Sequence, residues 1–241
     1  MSWKREVRKI ARRFGYAINR ISSEVGQDPF EDMARILHGD SPMVCDVGAN
    51  LGQTVGAFHR VFRDPRVYSF EPSPTTFDLL RSNTAQYPNV HAWNRALGSS
   101  RGQMTLQENQ TPEMTSFLSL SDFGWGSVIK ETRVTVDTVD AFCLEQDIDR
   151  IDILKSDTQG FDLEVLKGAE RMFQQNRIGV VFSEIIFNDM YKNLPPVSQI
   201  FDFLNSRNFL LVSFYELAYQ GGLASWADAL FVHRSCVPTV L

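Results

Sequence analysis

No two cysteines in this chain are spaced as CxxC, no stretch approaches the roughly 20 apolar residues of a membrane span, and no apolar core of a secretory leader stands near the N-terminus. Only three cysteines occur, Cys45, Cys143 and Cys236. Odd in number and widely scattered, they support neither a disulfide framework nor a thiolate zinc site. Cys45, inside an apolar run, reads as a small buried residue. The histidines His38, His59, His91 and His233 form no HExxH and show no metal-ligand spacing to one another. These absences make a cytoplasmic protein the expectation. The sequence also lacks GxGxxG, although one glycine turn comes close to it.

The net charge of −5 is unevenly placed. Residues 1–20 carry Lys4, Arg5, Arg8, Lys9, Arg12, Arg13 and Arg20 against Glu6 alone, leaving an acidic body. Such a body argues against nucleic-acid binding, which needs a basic face. Trp3, Val7, Ile10, Phe14, Ile18 and Ile21 recur at three- and four-residue steps, so residues 3–21 read as a basic amphipathic helix. Its apolar stripe could lie on an anionic membrane surface or dock on a partner; packing on its own domain or a second subunit is the preferred reading. The boundaries expected are an extension over 1–40, a main domain over 41–236 and a tail over 237–241.

From residue 43 strands and helices alternate. Strands are expected at 43–47, 67–70, 90–94, 151–156 and 178–184, with edge-like strands at 102–108 and 131–136. Helices are expected near 30–37 and at 51–63, 75–85, 137–146, 162–175 and 196–206. FLLVSFY (209–215) and ADALFVH (227–233) are late strands that could pair antiparallel. The alternation predicts a Rossmann-like, doubly wound, mostly parallel α/β sheet, whose ligands sit beyond the carboxyl ends of its strands.

The strand ends carry the chemistry. The first runs into Asp46-Val47-Gly48-Ala49-Asn50-Leu51-Gly52. A dinucleotide fold needs further glycines where Asn50 and Gln53 stand, so the turn suits a ligand without a pyrophosphate. Backbone N–H groups at the helix start can bind a carboxylate, and Asp46 could orient a ligand amine; the amino-acid end of S-adenosylmethionine (AdoMet) has both. The second strand ends in Glu71, placed to accept hydrogen bonds from ribose hydroxyls, and Ser73 is the better cap for the following helix. The third runs into Asn94-Arg95-Ala96, which could border an adenine. The fourth and fifth end near Asp157 and Glu184, two carboxylates on neighbouring strands. They could serve as general base, as metal ligands or as anchors for substrate hydroxyls, and no metal is assigned.

VCDVGANLGQT, SFEPSP, NRALGS and LKSDTQGFDLEVLKGAE together resemble the FkbM family of AdoMet-dependent methyltransferases, over about residues 43–233. The resemblance implies the class I methyltransferase architecture and O-methyl transfer to a sugar, glycan or small natural product. Carried over by position, Asp46, Gly48, Asn50 and Gly52 form the cofactor loop, Glu71 holds the ribose, and Asn94 to Ala96 border the adenine. Asp157 is the first choice for base or hydroxyl anchor and Glu184 the second. The common family form has a carboxylate where this chain has Gln159. Two other readings stay open on the residues alone: a non-catalytic binding module of the same fold, and an NAD-dependent oxidoreductase, against which the missing GxGxxG argues. Phe117, Phe123 and Trp125, the segment 187–191 and the stretch 219–226 are candidates to line the acceptor site. A homo-oligomer is compatible with the sequence.

Overall fold

The computed structural model of the protein describes residues 3–14 and 25–237. In chain order the elements are α1 (Trp3–Arg13), α2 (Pro29–Leu37), β1 (Met43–Val47), α3 (Gln53–Val61), β2 (Arg66–Phe70), α4 (Pro74–Thr84), β3 (Val90–Trp93), β4 (Ala96–Leu97), β5 (Gly102–Asn109), β6 (Val128–Asp137), α5 (Val139–Glu145), β7 (Ile151–Ser156), α6 (Asp162–Lys167), α7 (Glu170–Gln174), β8 (Ile178–Ile186), α8 (Val197–Asn205), β9 (Phe209–Gln220) and β10 (Leu223–His233). Helix starts follow local capping chemistry. Asp28 accepts from the amides of Phe30 and Glu31 ahead of α2, Ser73 from Thr76 ahead of α4, and Thr138 from Ala141 ahead of α5. Proline occupies the first position of α2 and α4, where its missing N–H costs nothing.

The central sheet has seven strands in the order β3-β2-β1-β7-β8-β10-β9. Strands β3, β2, β1, β7 and β8 are mutually parallel, and β10 runs antiparallel to both β8 and β9. This is the expected doubly wound sheet with a reversed late strand. Successive residues point to opposite faces, and both faces are covered. Val44, Val67, Ile153 and Val180 pack under Met33 and Phe58 on one side. Cys45, Phe70, Leu154 and Val181 pack under Phe142, Leu166 and Phe173 on the other. The chain leaves β1 toward β2 and β3, then returns on β1's other flank as β7. That reversal opens a crevice at the carboxyl ends of β1 and β7, where ligands of open α/β sheets bind.

Three features differ from the sequence expectation. The helix expected over 162–175 is two, broken at Gly168, where a Cβ would stand 2.1 Å from the carbonyl oxygen of Gly98. Asp140 restarts it, its carboxylate accepting from the amides of Arg171 and Met172. The late strands are longer than their apolar cores: β9 and β10 form a hairpin turned at Gly221-Gly222, so Tyr219 to Trp226 is largely strand rather than loop. The small and polar residues of that stretch, with three register shifts, hide the alternation. Strands β4, β6 and β5 form a separate three-stranded sheet, and the segment 110–127 between β5 and β6 folds over the crevice.

The described part of the α1 stripe is exposed: Trp3, Val7, Ile10 and Phe14 are 67, 40, 58 and 74% exposed. Residues 15–21, the rest of the expected helix, and 238–241 of the tail lie outside the described residues. Among the described residues no helix is long and apolar enough to cross a membrane.

Candidate active site

The turn after β1 is held in left-handed backbone at Gly48 (φ 75°), Asn50 (φ 48°) and Gly52 (φ 88°). At Gly48 the requirement is also steric, since a Cβ would stand 1.9 Å from the carbonyl oxygen of Asp157. The two ends of the crevice, that of β1 and that of β7, therefore touch through backbone here. The amides of Gly48 and Ala49 both donate to the Phe70 carbonyl at 3.0 Å.

Asp46 is completely buried and lines neither cavity described below. It lies opposite Lys155 across the β1–β7 register, with the carboxylate 3.2 Å from the Lys155 ammonium. Its other oxygen accepts from Thr54 at 2.9 Å and Ser69 at 3.4 Å. Lys155 also donates to the Gly48 carbonyl at 3.0 Å and stands 3.6 Å from the Asp157 carboxylate. Burial disfavours the ammonium, but Asp46 and Asp157 outweigh it and hold the Lys155 pKa above its ordinary value. A single buried cation thus ties the turn, its acid and the end of β7 together.

Glu71 accepts from the Asn50 amide at 3.1 Å and the Ser73 amide at 2.9 Å. Burial pushes its pKa up to about 7 against the pull of those two amides and of Lys155. Asn94 stands outside the cavity lining and donates to the carbonyls of Glu71 at 2.9 Å and Pro72 at 3.1 Å. Its part is to hold the turn that carries Glu71. Gly52 likewise starts α3 and packs toward Leu80 and Thr84. Gly48, Asn50, Glu71 and Ala96 do line a cavity, which has an empty volume of about 730 Å³ and takes Phe117 as a further wall.

The loop after β7 is shaped by Asp162, whose buried carboxylate accepts from the Ser156 hydroxyl at 2.5 Å and the amides of Thr158 and Gly160. Gln159, at φ 55°, is turned so that its side-chain Nε2 donates to Asp157 at 3.1 Å and to Glu184 at 3.0 Å. The Tyr191 hydroxyl donates to Gln159 Oε1 at 2.8 Å, which fixes the amide with its N–H groups toward the acids. The two predicted carboxylates are therefore brought together, with a neutral amide between them. Glu184 is buried, and burial, with Asp157, Asp162 and Asp228 nearby, raises its pKa well above the usual carboxylate range. The Asp157 side chain keeps 40% of its exposure.

A second cavity, with an empty volume of about 940 Å³, lies on the far side of these acids and includes Trp125, Trp226, Glu216 and Asp228. Glu113, Asp157 and Gln159 line both cavities, so the two meet at the bridged acids. Segment 110–127 roofs both, anchored by the Ser116 hydroxyl on the Gln159 carbonyl at 2.7 Å and by Ser121 N–H on the Met190 carbonyl at 3.1 Å. Of the acceptor-lining candidates, Trp125, Met190 and Trp226 reach the second cavity and Phe117 the first. Phe123 is exposed, Phe187 meets Phe214, and Tyr191 is core.

Sequence reasoning missed Lys155 and Asp228 and placed Tyr191 only within the acceptor-lining segment 187–191. Asp228 carried a signal, an acid inside the apolar run ADALFVH. Gln159 was noticed only as a departure, and nothing local marks Tyr191 as its partner.

The methyltransferase FkbM domain family matches residues 46–211. Among curated proteins the chain is 22% identical over 201 residues to the 2-O-methyltransferase NoeI of Sinorhizobium fredii, covering 77% of this chain and 79% of that one. It is 29% identical over 188 residues to the methyltransferase sdnD of Sordaria araneosa, covering 64% and 72%. With the hexuronic acid methyltransferase AglP of Haloferax volcanii it shares 26% over 159 residues, covering 63% and 61%.

Proposed function

This chain belongs to the methyltransferase FkbM family, and from that premise we propose that it transfers a methyl group from AdoMet to a hydroxyl of a sugar or sugar-bearing small molecule, with residues 41–236 as the catalytic domain. The observation that carries this reading is the meeting of two cavities at Asp157 and Gln159. A donor in one and an acceptor in the other would touch only there. NoeI is named for 2-O-methylation and AglP for a hexuronic acid. The paired indoles of Trp125 and Trp226, with ring centroids 5.3 Å apart, suit the apolar face of a sugar ring.

The residues of the first cavity fit AdoMet. Glu71 carries a buried carboxylate raised to about 7, and ribose hydroxyls would supply the hydrogen bonds that stabilise its charge. Asn50 keeps Oδ1 buried without a partner among the described residues, an acceptor for the ammonium of the methionine end. Ala96, Leu106 and Phe117 give apolar walls to an adenine. Asp46, Gly52 and Asn94 act through the loop they hold. When bound, AdoMet supplies a methyl group already activated on a sulfonium.

What the chain must add is alignment and a proton acceptor. Alignment is worth roughly 7–11 kcal/mol in favourable systems, a positioned base about 10²–10⁴-fold. With AdoMet held in the first cavity and an acceptor in the second, Asp157 would take the hydroxyl proton as the acceptor oxygen receives the methyl group that the sulfonium supplies, the donor leaving as a neutral thioether. Asp157 takes this role rather than Glu184, because burial pushes Glu184 toward its protonated form, which suits it to hold a substrate oxygen instead. Gln159 keeps the Asp157 carboxylate aimed, and the Lys155 ammonium stands 3.6 Å from it.

The test is Asp157→Asn. AdoMet affinity by calorimetry should stay nearly unchanged while methyl transfer falls by at least about tenfold, the low end of general-base effects. Turnover equal to the wild type removes Asp157 from the mechanism.

A further inference from the structure

The second cavity is walled by Glu113, Asp157, Glu184, Glu216 and Asp228, and among the described residues no lysine, arginine or histidine lines it. The nearest ammonium, Lys155, is buried behind the β1 turn and engaged by Asp46 and the Gly48 carbonyl. The acids are not equivalent. Asp157 and Glu184 share the two N–H groups of Gln159. Asp228 lies opposite Glu184 in the β8–β10 register and two residues from Trp226 on the same face of β10. Asp228 faces the cavity with no hydrogen bond or ion pair to another described residue, and Glu216 stands beside it in the lining. The transfer point thus shares its cavity with an acidic wall and an indole pair.

We propose that the acceptor is a sugar carrying a protonated amine, with the ammonium held by Asp228 and Glu216 and the ring against Trp125 and Trp226 while a hydroxyl of the same sugar reaches Asp157. This rests on the methyltransferase reading above and specifies its acceptor. A uronate would bring a sixth carboxylate into a cavity that already holds five without a basic side chain, and like charges in a partly buried site repel strongly. A neutral sugar would stack but leave the acidic wall desolvated without a counter-charge. An ammonium answers both. The raised pKa of Asp228, pushed up to about 7 by burial and by Asp157, agrees with a wall short of positive charge. A metal ion is the less suited cation, since among the described residues no three acid, histidine or cysteine side chains gather as metal ligands.

The experiment uses the full chain with AdoMet and follows release of the demethylated donor. The probes are the methyl glycosides of glucosamine and galactosamine, their N-acetyl forms, and the matching glucuronide and galacturonide. The amino sugars should be O-methylated with kcat/KM at least about tenfold above their N-acetyl forms, the uronides should be inert, and Asp228→Asn should bring the first two toward parity without changing AdoMet affinity. Uronide or N-acetyl turnover at the amino-sugar rate overturns the proposal, as do methylation of the nitrogen, Mg²⁺-dependent rescue of the N-acetyl sugars, and silence of every glycoside in protein that binds AdoMet. Failure to bind AdoMet in calorimetry would instead defeat the methyltransferase reading beneath it.

Discussion

Replacing Glu71 with Gln separates the cost of a buried charge from the use made of it. The carboxyl ionises at about 7 in the folded chain against 4.5 as a free side chain. Between those values the folded state holds a proton that the unfolded state has lost, so this group's contribution to stability declines as pH rises through the window. Integrated from pH 5 to pH 8, the decline is about 2.5 kcal/mol. The glutamine variant has no such term. It loses elsewhere, because both carboxylate oxygens accept from backbone amides, Asn50 at 3.1 Å and Ser73 at 2.9 Å. An amide side chain can accept only one and turns an N–H toward the other, at about 1–3 kcal/mol at every pH. Glu71→Gln should therefore be clearly less stable than wild type at pH 5 and close to it at pH 8. For a domain of this size the difference in Tm should move by roughly 5–10 °C across that range. Asp228 and Glu184 titrate in both proteins, and most of their effect cancels in the difference.

The same substitution reports on function. Ribose hydroxyls favour the charged carboxylate, so AdoMet binding to the wild type should expel a proton from Glu71. At pH 7, with its pKa about 7, the release is about half a proton per cofactor. Calorimetry in two buffers of different ionisation enthalpy measures it. In Glu71→Gln that proton should be missing and AdoMet affinity should fall by at least about tenfold, the loss of a hydrogen bond to a charged group. A Tm difference that stays flat with pH refutes the buried-charge account. Unchanged affinity with unchanged proton release refutes the ribose assignment.

Two further substitutions probe the supports of the site. Gly48→Ala forces a Cβ against the Asp157 carbonyl, 1.9 Å away, at φ 75°. It should cost more than about 2 kcal/mol in denaturant unfolding and weaken AdoMet binding and turnover together; an unperturbed protein would show that the two strand ends are not coupled. Tyr191→Phe removes the donor that orients Gln159, which should cost about 1–2 kcal/mol and lower kcat while leaving AdoMet affinity intact, and a kcat equal to wild type would make that hydrogen bond structural only.

How legible the molecule was in its sequence depended on the range of the interaction. The strand–helix alternation, the glycine turn after β1, the cap at Ser73 and the neighbouring ends of β7 and β8 all follow from local pattern and from the topology such a pattern allows. The break at Gly168 does not, because its cause is the backbone of Gly98, seventy positions away and met only in the folded chain. Asp46 shows the same limit from the other side. Its residue type suited a ligand amine, but Lys155, opposite it across the β1–β7 register, takes its carboxylate. The full length of the β9–β10 hairpin is hidden in the sequence because bulges interrupt its alternation, and so is the placement of Trp226 on a strand facing the acids.

Gln159 joins these threads. With an acid at this position, as in the common family form, Asp157 and Glu184 would face a third like charge at hydrogen-bond distance, and at least one of the three would have to keep its proton. An amide removes that repulsion and supplies two donors where two acceptors stand at 3.1 and 3.0 Å. It also fixes which acid does what. Both acids receive the same kind of hydrogen bond, so the difference between them comes from burial. Glu184, inside the sheet, is pushed toward its protonated form, and Asp157, at the junction of the two cavities, is the proton acceptor of the proposed reaction. In that reaction the division of labour between the two carboxylates follows from their depth, and the neutral bridge lets both depths persist in one site.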